Sequence, residues 1–264
     1  MALSFATFQR RANLALGRRR DGPLGLDFHN HLLPGVDDGM KDFVQAKTAV
    51  AALRTAGFTG AIVTPHIHAG VYDNRSTTLR QSFADFVAGL RAAGEHFPLR
   101  LAAEYFADEH FLDLIQRDDL LFLQVGQERF VLVEFPYHQE TPYTGVCLSA
   151  LAARGYRPVV AHVERYNFVA RAPASWLARF AALGAILQGD IGSLAGQHGD
   201  HVRRFGLWLV ARNLVPLWGT DLHDPAQIEP FILRGLRQLA AQQRLNGLLA
   251  PVHDAVPELA EPCV

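Results

Sequence analysis

Beyond residue 23, apolar runs and amphipathic stretches alternate along the chain. Seven runs rich in Val, Ile, Leu and Phe recur: GLDFHNH (25–31), GAIVTPH (60–66), LRLAAEYF (99–106), FVLVEFP (130–136), RPVVAHVER (157–165), GAILQGDIG (184–192) and VPLWGTDLH (215–223). Between most of them lie DFVQAKTAVAALRTAG, STTLRQSFADFVAGLRAAG, TGVCLSALAARG, ASWLARFAALG and HVRRFGLWLVARN. Those stretches carry apolar residues at i, i+3 and i+4, and several stop at Gly or Asn, as helices do. Strand-then-helix repetition predicts parallel strands joined by helical crossovers.

Seven such units predict a single α/β domain over residues 24–250, a seven-stranded (β/α) barrel of the TIM-like kind. An open doubly wound sheet is the competitor. The barrel is preferred because polar residues close nearly every apolar run, and a ring of strands aims its C-terminal ends at one mouth. Residues 1–23, with paired arginines and Arg18–Arg20, read as a basic arm, and residues 251–264 read as a surface tail.

The polar residues at the run ends are His29 and His31, His66, Glu104, Glu134, His162, and Asp221 with His223. Residues two apart on a strand point the same way, so His29/His31 and Asp221/His223 each present a pair of donors to one face. Closure of a barrel makes the first and last strands neighbours and brings the two pairs together. With strands about 4.8 Å apart, donors on adjacent ends reach metals spaced about 3.5–4 Å. Mixed imidazole and carboxylate donors without a thiolate suit Mn, Fe or Zn. A lone His-x-His is weak, since a strand-end histidine is often merely hydrogen-bonded. Donors recurring at the same point of each repeat are not expected from independent structural residues. His68 repeats the His-x-His pattern in TPHIH and is a candidate ligand or proton donor. His96, His110, His138, His198, His201 and His253 are assigned to helices, loops or the tail.

Charge and cysteine content narrow the class. A formal net charge of -1 gives no reason to expect nucleic acid as a partner. Two cysteines, Cys147 and Cys263, fit a reducing cytoplasm better than a disulfide framework. No apolar run approaches the roughly 20 residues that span a bilayer, and the apolar stretch after Arg10 and Arg11 is too short for an export signal. A cysteine-based phosphatase needs an Arg six residues after its thiolate; Cys147 meets Ala153 there, with Arg154 one step too far. No Walker-type phosphate loop is present.

In order and spacing, HNHLLPGVDDG, TPHIH, AEYF, LVEFP, AHVERY, QGDIGSLAG and GTDLH resemble the polymerase-and-histidinol-phosphatase (PHP) family. More narrowly, the chain resembles that family's bacterial manganese-dependent protein-tyrosine phosphatases of capsule and exopolysaccharide synthesis. The resemblance implies a distorted seven-stranded barrel with three divalent metal ions, Mn first, with Fe or Zn as alternatives. It further implies one ion on His29, His31, Glu104 and Asp221, a second on Asp38, His66 and His223, and a third on Glu134 and His162 with Glu104 bridging. Asp37 is an alternative to Asp38. This chain has TPHIH, HVERY and TDLH where members often read TPHHH, HPERY and SDAH, and no Arg follows His223 until Arg234.

The implied reaction is hydrolysis of protein phosphotyrosine by metal-activated hydroxide, attacking phosphorus in line. Arg165, in HVERY, is the candidate bidentate phosphate clamp; an ion pair with Glu164 or another acid is the competing reading. Tyr72, Tyr105, Tyr137 and Tyr166 lie just beyond run ends and are candidates to line an aromatic slot. The implied partner is the phosphotyrosyl tail of a membrane tyrosine kinase, met at the inner face of the membrane. Three alternatives remain: a PHP phosphoesterase for a small monoester such as histidinol phosphate, a metallo-amidohydrolase, and a degenerate interaction domain. An amidohydrolase commonly needs a Lys ligand where Glu104 and Glu134 stand, and a degenerate domain should show gaps in the ligand set.

Overall fold

A computed structural model of the chain describes residues 25–245. The basic arm and the C-terminal tail lie outside them. All seven apolar runs become strands, several of them shorter than their hydrophobic pattern. The first run is β1 (Leu26–Asp27); the second divides into β2 (Gly60–Val63) and β3 (His66–Ile67); the third into β4 (Leu99–Leu101) and β5 (Glu104–Phe106). A short β6 (Leu123–Val125) precedes β7 (Glu128–Glu134), and β8 (Tyr156–Val160), β9 (Ile186–Asp190) and β10 (Leu217–Gly219) follow.

Two ladders make up the curled sheet, β1-β2-β4 and β10-β9-β8-β7-β5-β3. Every pairing is parallel except β6 with β7, a local hairpin. Pro65 has no N–H to offer where β2 gives way to β3. Ala102 N–H to Val63 O (2.9 Å) and Glu104 N–H to Pro65 O (3.1 Å) carry the pairing across that break. The first and last strands meet beyond their ladders: Asn30 bridges Leu222 in parallel, and His31 N–H donates to Leu222 O at 3.0 Å.

The helices are α1 (Phe43–Thr55), α2 (Ser76–Ala92), α3 (Glu109–Arg117), α4 (Pro142–Ala153), α5 (Asn167–Arg171), α6 (Pro173–Ala182), α7 (Asp200–Ala211) and α8 (Leu233–Leu245). α1 buries Ala46, Ala49, Val50 and Leu53, the i, i+3, i+4, i+7 stripe its sequence predicts, behind an Asp42 cap that accepts from Gln45 N–H at 2.8 Å. α3, α5, α8 and β6 were not among the predicted elements. α3 starts on the Asp108 cap, which accepts from Phe111 N–H at 2.7 Å, and ends on Asp118 in the left-handed region (φ 59°).

Strand alternation sorts the core into two. Leu26, Phe28, Ile62, Ala102, Phe130, Leu132, Val159, Ala161, Ile186 and Leu217 form one cluster, drawn from six of the seven runs by their ladders and from the third by Ala102. The intervening Ala61, Val63, Val131, Val133, Val160, Leu187 and Trp218 face the other way and pack with the helices. Leu132 and Glu134 are two apart on β7, so the inner apolar face continues directly into a buried carboxylate.

Candidate metal centre

The predicted donors converge beyond the C-terminal ends of the strands. Register does much of this: His66 pairs with Glu104, and Glu134 lies opposite Phe106 of β5. His29 O accepts from the N–H groups of Thr220 (3.1 Å) and Asp221 (2.8 Å), which laces the first His-x-His against the last Asp-x-His. Asp221 (φ 49°) and His162 (φ 26°) both hold the left-handed backbone that non-glycine residues rarely adopt.

The tightest group is His29, His31, Glu104 and Asp221. His29 Nε2 is 3.0 Å from Glu104 Oε2, 3.2 Å from Asp221 Oδ1 and 3.2 Å from His31 Nε2. His31 Nε2 is 3.4 Å from Glu104 Oε2 and 3.3 Å from Asp221 Oδ1. All four residues are buried. Hydrogen bonds behind the rings fix what these atoms present. Gln188 Oε1 accepts the backbone N–H of His162 at 2.9 Å, so it is an acceptor, and His29 Nδ1–H donates to it at 3.1 Å. His31 Nδ1–H donates to Asp37 Oδ2 at 2.8 Å. In their neutral form both Nε2 atoms therefore turn a lone pair toward each other and toward two carboxylates. Such a set fits a divalent cation, which each lone pair and carboxylate oxygen would face.

A second group gathers His31, Asp38, His66 and His223. Asp38 Oδ1 lies 3.6 Å from His66 Nε2 and 3.4 Å from His223 Nε2, and His223 Nδ1–H donates to Asp221 O at 2.8 Å. The adjacent acids thus have different places. Asp37 backs His31 and also accepts from the N–H groups of Gly39 and His66, both at 3.0 Å, whereas Asp38 points into the group. Gly39 makes this loop possible, because a Cβ there would stand 2.4 Å from the Cβ of His31.

The third region holds Glu104, Glu134, His66 and His162. Glu104 faces two ways: Oε2 toward His29 and His31, Oε1 toward His162 Nε2 at 3.1 Å. Glu134 Oε1 is 3.6 Å from His162 Nε2, and Glu134 Oε2 is 3.8 Å from His66 Nδ1. Among the described residues His66 Nδ1, though 3.2 Å from Glu104 Oε2, makes no hydrogen bond, and neither does buried His162 Nδ1. The orphaned His66 Nδ1 beside Glu104 and Glu134, with His162 Nε2 facing the same carboxylates, again fits a cation.

Charge in the protein alone is unbalanced. Burial and the neighbouring Glu104 raise Glu134 to about 8. Glu104 itself is held well below the usual carboxylate range, because His29 and His66 outweigh its burial. Burial lowers His162 to about 4.

Two predicted residues stand differently from the rest. His68 joins none of these groups; its ring stacks on Phe106 at 3.9 Å between centroids. Arg165 reaches the mouth and makes the ion pair of the competing reading, with Asp221 and not Glu164: its Nη1 is 2.6 Å from Asp221 Oδ2 and its guanidinium lies 4.5 Å over the Tyr137 ring. Of the four tyrosines, Tyr105 and Tyr166 are core residues whose hydroxyls accept from Leu121 N–H and Phe135 N–H. Tyr72 stacks on His66 at 5.1 Å, and Tyr137 donates its hydroxyl to Glu134. Cys147 is buried in α4, which pushes its thiol up to about 12 and removes it as a nucleophile.

Sequence reasoning missed Gln188, Asp27 and Asp190. Asp27 is buried and accepts from Thr220 N–H (2.8 Å) and Thr220 Oγ1 (2.7 Å), clamping the first strand to the last. LQGD and LDFH held the signal, polar residues interrupting apolar runs, but nothing local says which partner they meet.

A sequence model of the family described as capsular polysaccharide synthesis, CpsB/CapC, matches residues 25–246. The chain is 32% identical over 202 residues to the tyrosine-protein phosphatase YwqE of Bacillus subtilis (strain 168), covering 75% of this chain and 77% of that one. It is 22% identical over 231 residues to the tyrosine-protein phosphatase CpsB of Streptococcus agalactiae serotype V, covering 84% and 94%. Among solved structures it superposes, with a TM-score of 0.72 and 26% identity over 90% of this chain and 99% of the other, on one from work on YwqE from Bacillus subtilis and CpsB from Streptococcus pneumoniae, metal-dependent tyrosine phosphatases.

Proposed function

We propose that this chain, which belongs to the CpsB/CapC capsular polysaccharide synthesis family, is a metal-dependent protein-tyrosine phosphatase. The carrying observation is the meeting of His29 Nε2, His31 Nε2, Glu104 Oε2 and Asp221 Oδ1 at 3.0–3.4 Å with their lone pairs inward.

We read the curled sheet as a distorted barrel of seven staves, closed by the Asn30–Leu222 bridge, and the catalytic unit as residues 24–250. His29, His31, Glu104 and Asp221 would hold one ion; Asp38, His66 and His223 a second; Glu134 and His162 a third, with Glu104 bridging. The donor chemistry suits Mn, with Fe or Zn as alternatives. Bound divalent ions supply charge neutralisation for phosphate oxygens and a water acidic enough to act as nucleophile near neutral pH.

The chain's own residues do the rest. Asp37 and Gln188 orient the two first-strand imidazoles. Arg165 presents a guanidinium at the mouth, held against Asp221 and the Tyr137 ring, where a phosphate can share it. Tyr72 borders the same opening through its stack on His66. Among the described residues no helix is long and apolar enough to cross a membrane. The substrate in view is the phosphotyrosyl tail of a membrane tyrosine kinase, met by this chain at the cytoplasmic face.

The test is phosphate release from a phosphotyrosyl peptide by chelator-stripped protein as manganese is restored. Activity that depends on metal and disappears in His31→Ala is expected. No turnover with Mn, Fe or Zn, alongside hydrolysis of histidinol phosphate, would replace the tyrosine substrate by a small monoester.

A further inference from the structure

Asp190, which ends β9, and His198, in the loop before α7, form a pair outside the three donor groups. His198 Nε2 lies 2.7 Å from Asp190 Oδ2. That carboxylate is fully buried and also accepts from Gly192 N–H at 2.7 Å and the Ser193 hydroxyl at 3.3 Å. The imidazole side chain keeps 23% exposure, and its Nδ1 makes no hydrogen bond among the described residues. A ring nitrogen of His198, an oxygen of Asp190 and an oxygen of Asp221 lie within 4.8 Å of one another, so the pair stands at the edge of the centre.

A further cation is the obvious reading of these three residues, and the surrounding contacts argue against it. Asp221 Oδ1 already faces His29 and His31, and Asp221 Oδ2 is taken by Arg165 at 2.6 Å. The guanidinium supplies the positive charge. What remains is a partly exposed imidazole at the edge of the centre, with one nitrogen held by a buried acid and the other without a hydrogen bond among the described residues. Such an arrangement moves protons. The other polar groups nearby do not serve as well. Arg165 is made still more basic by Asp221, whose charge outweighs burial. The Tyr137 hydroxyl is held by Glu134, and His68 is turned onto Phe106. Buried Glu164, which also faces Asp190, accepts the Asp190 N–H at 2.9 Å.

We propose that His198, positioned by Asp190, is the general acid that protonates the departing tyrosine; this rests on the phosphatase reading above. The phosphorus–oxygen bond to the phenol breaks, its electron pair stays on the phenolic oxygen, and that oxygen takes the imidazolium proton. Water forms the new bond to phosphorus and loses its proton to solvent, and neutral His198 regains a proton from solvent. A tyrosyl leaving group, with pKa about 10, gains from such help.

The experiment compares the metal-loaded full chain with His198→Ala and Asp190→Asn on aryl phosphates of graded leaving-group basicity. His198→Ala should lose about 100-fold in kcat on phosphotyrosine and phenyl phosphate. It should stay near the unmodified protein on a dinitrophenyl phosphate, whose leaving group needs no proton. Asp190→Asn should fall between the two. In nitrogen NMR of unmodified protein, a strongly deshielded His198 Nε2–H should appear, and Asp190→Asn should remove it. Equal losses across the series, or no loss, would overturn the proposal. Unmodified protein inactive on every aryl phosphate would overturn the phosphatase reading with it, a result distinct from both.

Discussion

Gln188 stands directly behind His29, its Oε1 accepting from His29 Nδ1–H at 3.1 Å and from the backbone N–H of His162 at 2.9 Å. One side chain thereby sets the tautomer of a first-strand imidazole and the entry into the turn that follows β8. Gln188→Leu removes both bonds while leaving every proposed ligand in place. Manganese affinity, measured by competition with a chelating dye, should fall about 10–100-fold. An unchanged affinity would make Gln188 a spectator.

Protons and metal compete for the same nitrogens. In the metal-free chain burial acts to lower the His29 pKa, but the charges of Glu104 and Asp221 prevail and raise it to about 9. A raised histidine adds stability that is complete below its unfolded value, near 6.5, and is lost as pH rises through about 9. The metal-free protein should therefore lose Tm between pH 7 and 9, while metal affinity rises over the same window and binding releases protons. At metal concentrations a hundredfold above Kd, loading should raise Tm by about 5–10 °C. Calorimetry with and without manganese at pH 7 and 9 checks both signs. A gap that narrows toward pH 9 would contradict them.

Gly219 meets His29 at close quarters: a Cβ there would lie 2.5 Å from the His29 Cβ and 2.9 Å from its backbone nitrogen. Both atoms belong to His29, whose carbonyl accepts from Thr220 and Asp221 N–H and whose ring is held by Gln188, so Gly219→Ala cannot be absorbed by a flexible side-chain end. We expect a loss of about 1–3 kcal/mol in denaturant unfolding, together with reduced metal content. Retention of both would mean that the first and last strands separate more easily than their bonds imply.

Arg165 shares its charge with Asp221 and stacks on Tyr137, so Arg165→Lys keeps the charge but loses the planar fork. Inhibition by inorganic phosphate should weaken about 10-fold or more with metal content retained. Unaltered phosphate inhibition would confine Arg165 to its ion pair.

The chain's alternation of apolar runs and amphipathic helices determined the class of fold and the ends at which donors gather, because period-2 and period-3.6 patterns are local properties. Resemblance supplied Asp38. Tertiary structure decided what depends on which atoms meet. Adjacent Asp37 and Asp38 are chemically alike, and only the fold turns one onto His31 Nδ1 and the other toward His66 and His223. His68 and His66 share a motif, yet the turn closed by His68 and Tyr72 lays one on Phe106 and leaves the other among carboxylates. Gln188 and the Asp190–His198 pair were invisible to spacing, since the partners of Gln188 lie far along the chain and nothing in QGDIGSLAG says that its Asp meets His198. A sequence lists which groups can donate or accept; burial and backbone path decide which of them face one another, and that pairing is a long-range property.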